Sequence, residues 1–280
     1  MKAAVLGSPI SHSLSPVLHR AAYRALGLTG WTYDAIECDE AALPALVGGC
    51  GADWAGLSLT MPLKRAVLPL LDKADPLVTE VGSANTVIFA AGARHGHNTD
   101  VPGMITALAA AGVSGSGPVL ILGAGATACS ALAALRGLGA ADVTVAVRDP
   151  ARAADLEAAA GRLGMPVRLA DFSGRPPAPP GGRWHLLIST VPAGAADSYA
   201  ERVLRGDLVP SAVLDVVYHP WPTKLAAAAE RTGAALVLGF ELLLHQAARQ
   251  VELMTARTAP TAAMRRAGQA ELRRRSEGGG

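Results

Sequence analysis

Pro118-Val119-Leu120-Ile121-Leu122-Gly123-Ala124-Gly125-Ala126-Thr127-Ala128 is the stretch on which the fold turns. Val119 to Leu122 are apolar without alternation, as in a strand covered on both faces. The following residues, 129–138, read as a helix. Between them lies G-x-G-x-x-A, in the strand–turn–helix setting that a dinucleotide pyrophosphate requires. Gly123 makes the tight turn, Gly125 lets backbone approach the phosphates, and the small Ala128 permits close packing of helix on sheet. The free N–H groups of the helix start favour an anion. A glycine turn can also serve packing alone. Its flanking strand and helix favour a dinucleotide site built on Gly123, Ala124, Gly125, Ala126 and Thr127.

Working outward toward the C-terminus, strands are expected at 142–147, 166–169, 186–190, 212–217 and 234–238, with helices at 151–163 and 225–231. This alternation implies a Rossmann-like, parallel α/β unit over 103–239. The second strand ends in Arg148-Asp149-Pro150. Asp149 stands about twenty residues past the turn, where an acid would hold the ribose hydroxyls of NAD. Arg148 and Arg152 flank it, and two guanidiniums suit a 2′-phosphate through charge and paired hydrogen bonds. NADP is therefore the expected cofactor, with Asp149 as the feature favouring NAD. A helix from Glu241 to about Thr255 is expected to return to the first unit, giving a domain of 1–102 with 240–268. Residues 269–280 read as a frayed tail.

Toward the N-terminus the chain also alternates strand and helix, so a second α/β unit with a mainly parallel sheet is expected. It closes on the polar stretch Gly96-His97-Asn98-Thr99-Asp100-Val101-Pro102-Gly103. The simplest role for Asp100 there is an N-cap of the helix that follows. Ser13 and Ser15 lie two apart around Leu14; in an extended segment they would face one side and bind a carboxylate or polyol. In a turn they would cap the helix after Pro16. Lys64, after Pro62, sits at a strand-to-helix turn, the sheet edge where ligands bind, although a lysine on a helix start is commonly a solvated one.

Composition narrows the class. Half of the 280 residues are hydrophobic and only 4% aromatic, which suits tightly packed layers of Ala, Gly and Leu. The formal net charge is +2; its excess arginines cluster near the C-terminus as a solvated end, so no nucleic-acid partner is expected. Cys38, Cys50 and Cys129 show no paired spacing, pointing to a reduced, cytoplasmic chain. The apolar start, Met1 to Leu6, is too short for a secretory core. The uncharged stretch 101–135 is broken by Gly115-Ser116-Gly117-Pro118, leaving no apolar run of about 20 residues, so no membrane span is expected. No His, Cys and carboxylate cluster has metal-ligand spacing.

Six segments together resemble shikimate dehydrogenases. They are Gly7-Ser8-Pro9-Ile10-Ser11-His12-Ser13-Leu14-Ser15-Pro16-Val17-Leu18-His19, Thr60-Met61-Pro62-Leu63-Lys64, Gly82-Ser83-Ala84-Asn85-Thr86, Asn98-Thr99-Asp100, Asp215-Val216-Val217-Tyr218-His219-Pro220 with Thr223, and Gly239 with Gln246. They follow the family's order across nearly the whole chain. The resemblance implies a substrate domain and a Rossmann NADP domain, and the reversible NADPH-dependent reduction of 3-dehydroshikimate to shikimate on the route to aromatic amino acids. It implies Lys64 and Asp100 as the catalytic pair. Ser13 and Ser15 would bind the substrate carboxylate, and Thr60, Asn85, Tyr218 and Gln246 its hydroxyls. Arg148 and Arg152 would hold the 2′-phosphate, with Gly239 also at the cofactor. A homodimer is left open.

Departures from the family pattern are Ser58 in place of a frequent Asn, Arg20 after His19, Ala126 for a third glycine, Leu242 for a Met and Lys224 for a Pro. Val147 and Asp149 also replace the usual neighbours of the cofactor arginine. Two other functions use the same scaffold: an NAD-dependent quinate/shikimate or aminoshikimate dehydrogenase, and a non-catalytic NADP- or substrate-sensing protein. Retention of both Lys64 and Asp100 argues against a sensor.

Overall fold

The computed structural model describes residues 1–174 and 176–278, without the side chains of Arg152 and Pro180. The chain forms two units, Met1–Gly103 with Leu243–Gly280, and Met104–Leu242.

In the first unit the order is β1 (Lys2–Gly7), α1 (Ser15–Ala25), β2 (Thr32–Glu37), α2 (Leu43–Gly48), β3 (Trp54–Leu59), α3 (Leu63–Ala66), β4 (Lys73–Ala74), α4 (Pro76–Val81), β5 (Thr86–Ala90), β6 (Ala93–His97) and the start of α5 (Asp100–Ala110). The sheet order is β2-β1-β3-β5-β6-β4. β1 pairs in parallel with β2 and β3, and β4 with β6, whereas β5 runs antiparallel to both β3 and β6. The sheet is therefore mixed. Its antiparallel part is a hairpin turning at Ala91 and Gly92, both with left-handed φ (51° and 76°), the conformation that matches the twist of paired strands. Ala-Gly is a weak signal for that turn. The helix at Lys64 is short: α3 is followed by a 3₁₀ turn, Leu68–Leu70, with Pro69 inside it.

α1 forms because Pro16 suits a first turn and because Ser15, Leu18, His19 and Ala22 share one buried face. The helix stops before Gly27, whose φ of +68° is left-handed.

The second unit carries β7 (Val119–Leu122), α6 (Ala126–Gly137), β8 (Val143–Val147), α7 (Ala154–Leu163), β9 (Val167–Asp171), β10 (Trp184–Ser189), α8 (Asp197–Arg205), β11 (Pro210–Asp215), α9 (Lys224–Thr232) and β12 (Ala235–Leu238). Every strand pairing is parallel, in the order β12-β11-β10-β7-β8-β9. β7 and β8 are buried along their whole length, as a sheet with helices on both faces demands. Leu120, Leu122, Leu187 and Val213 pack with Tyr199 and Val203 of α8 and Leu225 and Ala229 of α9. The strand order reverses between β7 and β10, so the glycine turn after β7 lies at the switch point where open α/β sheets bind ligands. α8 was not among the elements expected from the sequence; its buried stripe, Tyr199, Ala200 and Val203, is short.

The chain ends with α10 (Gly239–Thr255) and α11 (Thr261–Gly278). Residues 269–278, expected to fray, are helical. α11 packs on α1; Met264 is fully buried, Arg274 and Arg275 both pair with Glu271, and Arg275 Nη1 donates to the His12 carbonyl at 2.7 Å. Gly279 and Gly280 lie outside the described residues.

α5 and α10 touch backbone to backbone at Gly103, where a Cβ would stand 2.8 Å from Gln246 N and 3.1 Å from its Cα. Gly to Ala inside a helix ordinarily gains about 1 kcal/mol. Here the helices must part, so Gly103→Ala is expected to lose about 1–3 kcal/mol in urea unfolding; a gain would contradict this close approach.

Candidate active site

In the first unit Lys64 and Asp100 meet. Lys64 sits in α3, just beyond the C-terminal end of β3, and Asp100 is the first residue of α5. Lys64 Nζ donates to Asp100 Oδ2 at 2.7 Å, and the two side chains are only 15% and 9% exposed. The other carboxylate oxygen, Oδ1, accepts from Asn85 Nδ2 at 2.8 Å. Asp100 is thus held on both oxygens. The capping role considered for it falls instead to Asn98, whose Oδ1 accepts from Val101 N at 3.3 Å. A carboxylate in the first turn of a helix is also favoured by the helix dipole.

Asn85 is oriented by its neighbours. Its Oδ1 accepts from the Thr99 backbone N–H at 2.8 Å and from Thr86 Oγ1 at 2.9 Å. The backbone donor leaves no choice of amide orientation, so Nδ2 faces Asp100 and Thr99 Oγ1 (2.9 Å). Gln246 reaches the same group from α10: its Oε1 lies 3.4 Å from both Asn85 Nδ2 and Thr99 Oγ1, and its Nε2 donates to Leu243 O at 2.9 Å.

Ser13 and Ser15 are not in an extended segment. Leu14 is in the right-handed helical region (φ −88°, ψ −8°), Ser15 opens α1, and Ser15 N donates to Ser13 Oγ at 3.2 Å. Ser13 thus takes one N–H at the start of α1, although the N-cap position, Leu14, has no side-chain cap, and Ser15 is also buried against Tyr33. Burial pushes the Tyr33 phenol above its usual range, against hydrogen bonds with the Ser58 and Ser15 hydroxyls. Thr60 is half-buried between β3 and α3, its carbonyl accepting from Leu63 N at 2.8 Å.

Behind these groups lies a polar layer that sequence inspection missed: Tyr33, His19, Ser58, Thr86 and Gln250, all buried. His19 stacks on Tyr33 with ring centroids 3.9 Å apart, and its Nε2 lies 3.2 Å from Gln250 Oε1. Because an amide oxygen only accepts, His19 carries its proton on Nε2; Nδ1 has no partner. Burial pushes the imidazole down to about 3, outweighing the hydrogen bond to Gln250. Gln250 stands four residues after Gln246, hence on the same face of α10. That spacing was the available signal.

In the second unit, Gly123 follows β7 with φ +100°, and a Cβ there would meet Thr190 Oγ1 at 2.9 Å. Gly125 is the N-cap of α6, without a side-chain cap, and a Cβ built on it meets nothing within 4 Å. The first N–H groups of α6 are thus left to an anion approaching past Gly125, with Ala124, Ala126 and Thr127 partly exposed around them. These residues fit a dinucleotide pyrophosphate. Arg148 is exposed at the end of β8; the side chain of Arg152 lies outside the described residues. Asp149 Oδ1 accepts from Ala151 N at 3.0 Å, capping the following 3₁₀ turn. Tyr218 is half-buried in the loop after β11. That loop is pinned by Asp215, whose Oδ2 accepts from Thr223 Oγ1 at 2.7 Å and Oδ1 from Val217 N at 3.2 Å; burial raises its carboxyl above the usual range, against these hydrogen bonds. At Gly239 a Cβ would stand 2.5 Å from the Val216 carbonyl, so close packing alone already demands glycine there.

The family description "Shikimate dehydrogenase substrate binding domain" matches residues 5–87, and "Shikimate 5'-dehydrogenase C-terminal domain" matches residues 239–267. The shikimate dehydrogenase (NADP(+)) of Moorella thermoacetica is 35% identical over 272 residues, covering 94% of this chain and 90% of that protein. The chain belongs to the shikimate dehydrogenase family. Among solved members, the Mycobacterium tuberculosis enzyme superposes with a TM-score of 0.85 at 42% identity, over 96% of this chain and 98% of that one. The shikimate 5-dehydrogenase of Thermus thermophilus, solved with NADP(H) and shikimate, gives 0.82 at 32% identity, over 96% and 99%. No helix among the described residues is long and apolar enough to cross a membrane.

The buried imidazole makes the stability of this family member depend on pH. Folded His19 resists protonation until about pH 3, whereas an unfolded histidine takes a proton near 6.5. The unfolded state therefore binds more protons between these values, and stability falls as pH is lowered through this window, at about 1.4 kcal/mol per pH unit from this residue. Urea titrations from pH 7 to 4 should show a shallower loss for His19→Phe than for wild type. Parallel curves would contradict a neutral buried His19.

Proposed function

We propose that this chain reversibly reduces 3-dehydroshikimate to shikimate with NADPH, with Lys64 and Asp100 as its catalytic pair. The observation that carries this reading is the ion pair itself, nearly shut off from water and fixed by Asn85. NADPH supplies the hydride when bound. Hydride arrival at the ketone carbon places negative charge on oxygen, which needs a donor within hydrogen-bond reach. The Lys64 ammonium stabilises that charge and delivers a proton from Nζ. Asp100 holds the ammonium on Oδ2 and accepts from a substrate hydroxyl. In the oxidative direction neutral Lys64 removes the hydroxyl proton.

Asn85, Thr60 and Gln246 are proposed to bind the ring hydroxyls, Ser13 and Ser15 the carboxylate, and Tyr218 a further polar group of the substrate. For the cofactor, Gly123 to Thr127 would carry the pyrophosphate and Gly239 would keep the backbone beside it clear. Arg148 and Arg152 would bind the 2′-phosphate. The capping bond of Asp149 supports NADP, since that carboxylate is already engaged with the 3₁₀ turn.

Steady-state kinetics test the assignment with shikimate or quinate and NADP or NAD. Shikimate with NADP should be fastest. Lys64→Ala should lower kcat by about 10²–10⁴-fold while KM for shikimate stays within about threefold. Near-normal kcat in folded Lys64→Ala would refute the catalytic role. Separately, Arg148→Ala should raise KM for NADP by about tenfold, the equivalent of one charge-assisted hydrogen bond, and leave KM for NAD unchanged. An equal effect on both cofactors would remove Arg148 from the 2′-phosphate site.

A further inference from the structure

Gln250 is the node of the buried polar layer. Its Oε1 accepts from Ser58 Oγ at 2.8 Å and faces His19 Nε2 at 3.2 Å. Its Nε2 donates to Thr86 Oγ1 at 2.9 Å and approaches the Asn85 carbonyl at 3.3 Å. A carbonyl can only accept, so the amide orientation is determined. All four hydrogen-bonding directions of the amide are used, in a side chain only 1% exposed.

Each step from this node to the ion pair has a fixed direction. Thr86 Oγ1 receives from Gln250, which turns its own proton onto Asn85 Oδ1 at 2.9 Å. Asn85 then presents Nδ2 to Asp100 Oδ1 at 2.8 Å, and Asp100 presents Oδ2 to Lys64 at 2.7 Å. Without Gln250, Thr86 is free to turn its proton elsewhere, and Asn85 Oδ1 keeps only Thr99 as donor, through its backbone N–H at 2.8 Å and its hydroxyl at 3.2 Å. The small Ser58 is part of the same arrangement: Tyr33 donates to its hydroxyl at 2.7 Å, which leaves the Ser58 proton for Gln250.

We infer that Gln250 is a positioning residue, which through Thr86 reinforces the Asn85 orientation set by the Thr99 backbone N–H and thereby holds the geometry of the Lys64–Asp100 pair. It touches neither substrate nor cofactor in this scheme. The inference rests on the catalytic assignment of Lys64 and Asp100.

The test compares full-length wild type, Gln250→Leu, Thr86→Val, the double variant and Lys64→Ala in 3-dehydroshikimate reduction, with NADPH carrying hydrogen or deuterium at the transferred position. Gln250→Leu should lower kcat about tenfold, the equivalent of one buried hydrogen bond, with KM for NADPH within about twofold. Its deuterium isotope effect on kcat should exceed that of wild type, because mispositioning slows the chemical step. A loss of folded enzyme alone lowers apparent kcat and leaves the isotope effect unchanged. Thr86→Val should reproduce both changes, and the double variant should fall no further than the more impaired single one. If Gln250→Leu does not fold, Thr86→Val carries the test with the same two readouts. Unchanged isotope effects, or losses that multiply in the double variant, would overturn the inference. An active Lys64→Ala would instead sink the catalytic assignment, whatever Gln250 does.

Discussion

The ion pair between Lys64 and Asp100 is the constraint to which much of the first unit answers. Two charges taken largely out of water lose hydration that their mutual attraction restores only when geometry is good and the remaining hydrogen-bonding positions are filled. Here they are filled. One carboxylate oxygen takes the ammonium and the other takes Asn85. The three residues come from three places in the chain: the turn after β3, the start of β5 and the start of α5. The sheet must bring those places together before the pair can exist. The hydrogen bond of Ala84 N to the Lys64 carbonyl at 2.8 Å, and that of Asn85 N to the His97 carbonyl at 3.1 Å, show backbone tying the same segments that the side chains join.

Support for the pair continues inward as neutral polar groups. An amide, three hydroxyls and an imidazole lie under it, and each added charge there would compete for Asp100 or Lys64. The depressed basicity of His19 is therefore as much a part of the design as the ion pair above it: an imidazole that stays neutral donates to Gln250 without introducing a second cation. A low local dielectric strengthens hydrogen bonds that are made and penalises those that are not. His19 Nδ1 is a buried polar atom left without a partner in this layer.

Legibility followed from how each element is stabilised. The second unit was readable because β7 and β8 are buried along their whole length and read as apolar runs, interrupted only by Thr144 in β8, and because the glycine turn has a specific strand–helix setting. In the first unit the hairpin of β5 and β6 was not readable, since Ala91-Gly92 carries little turn signal. Residues 269–278 were misread because their helix is held by arginine pairs to Glu271 and by packing on α1, whereas composition shows only a charged end. Within the site, Lys64, Asp100, Asn85 and Gln246 were found through family resemblance; as isolated residues, Lys64 looked like a solvated lysine and Asp100 like a cap. The layer that joins Gln250, Thr86 and Ser58 was not legible, because buried polar residues resemble surface residues until the fold shows what surrounds them. Only the four-residue spacing of Gln246 and Gln250 marked them as neighbours.

The most direct measurement is a crystal structure of this chain with shikimate bound. The reacting hydroxyl should lie within about 3 Å of Lys64 Nζ, with Asp100 within hydrogen-bond reach of a substrate hydroxyl and Asn85 still donating to Asp100. Shikimate bound with its reacting hydroxyl beyond the reach of Lys64, while the Lys64–Asp100 pair remained closed on itself, would contradict the role assigned to that pair.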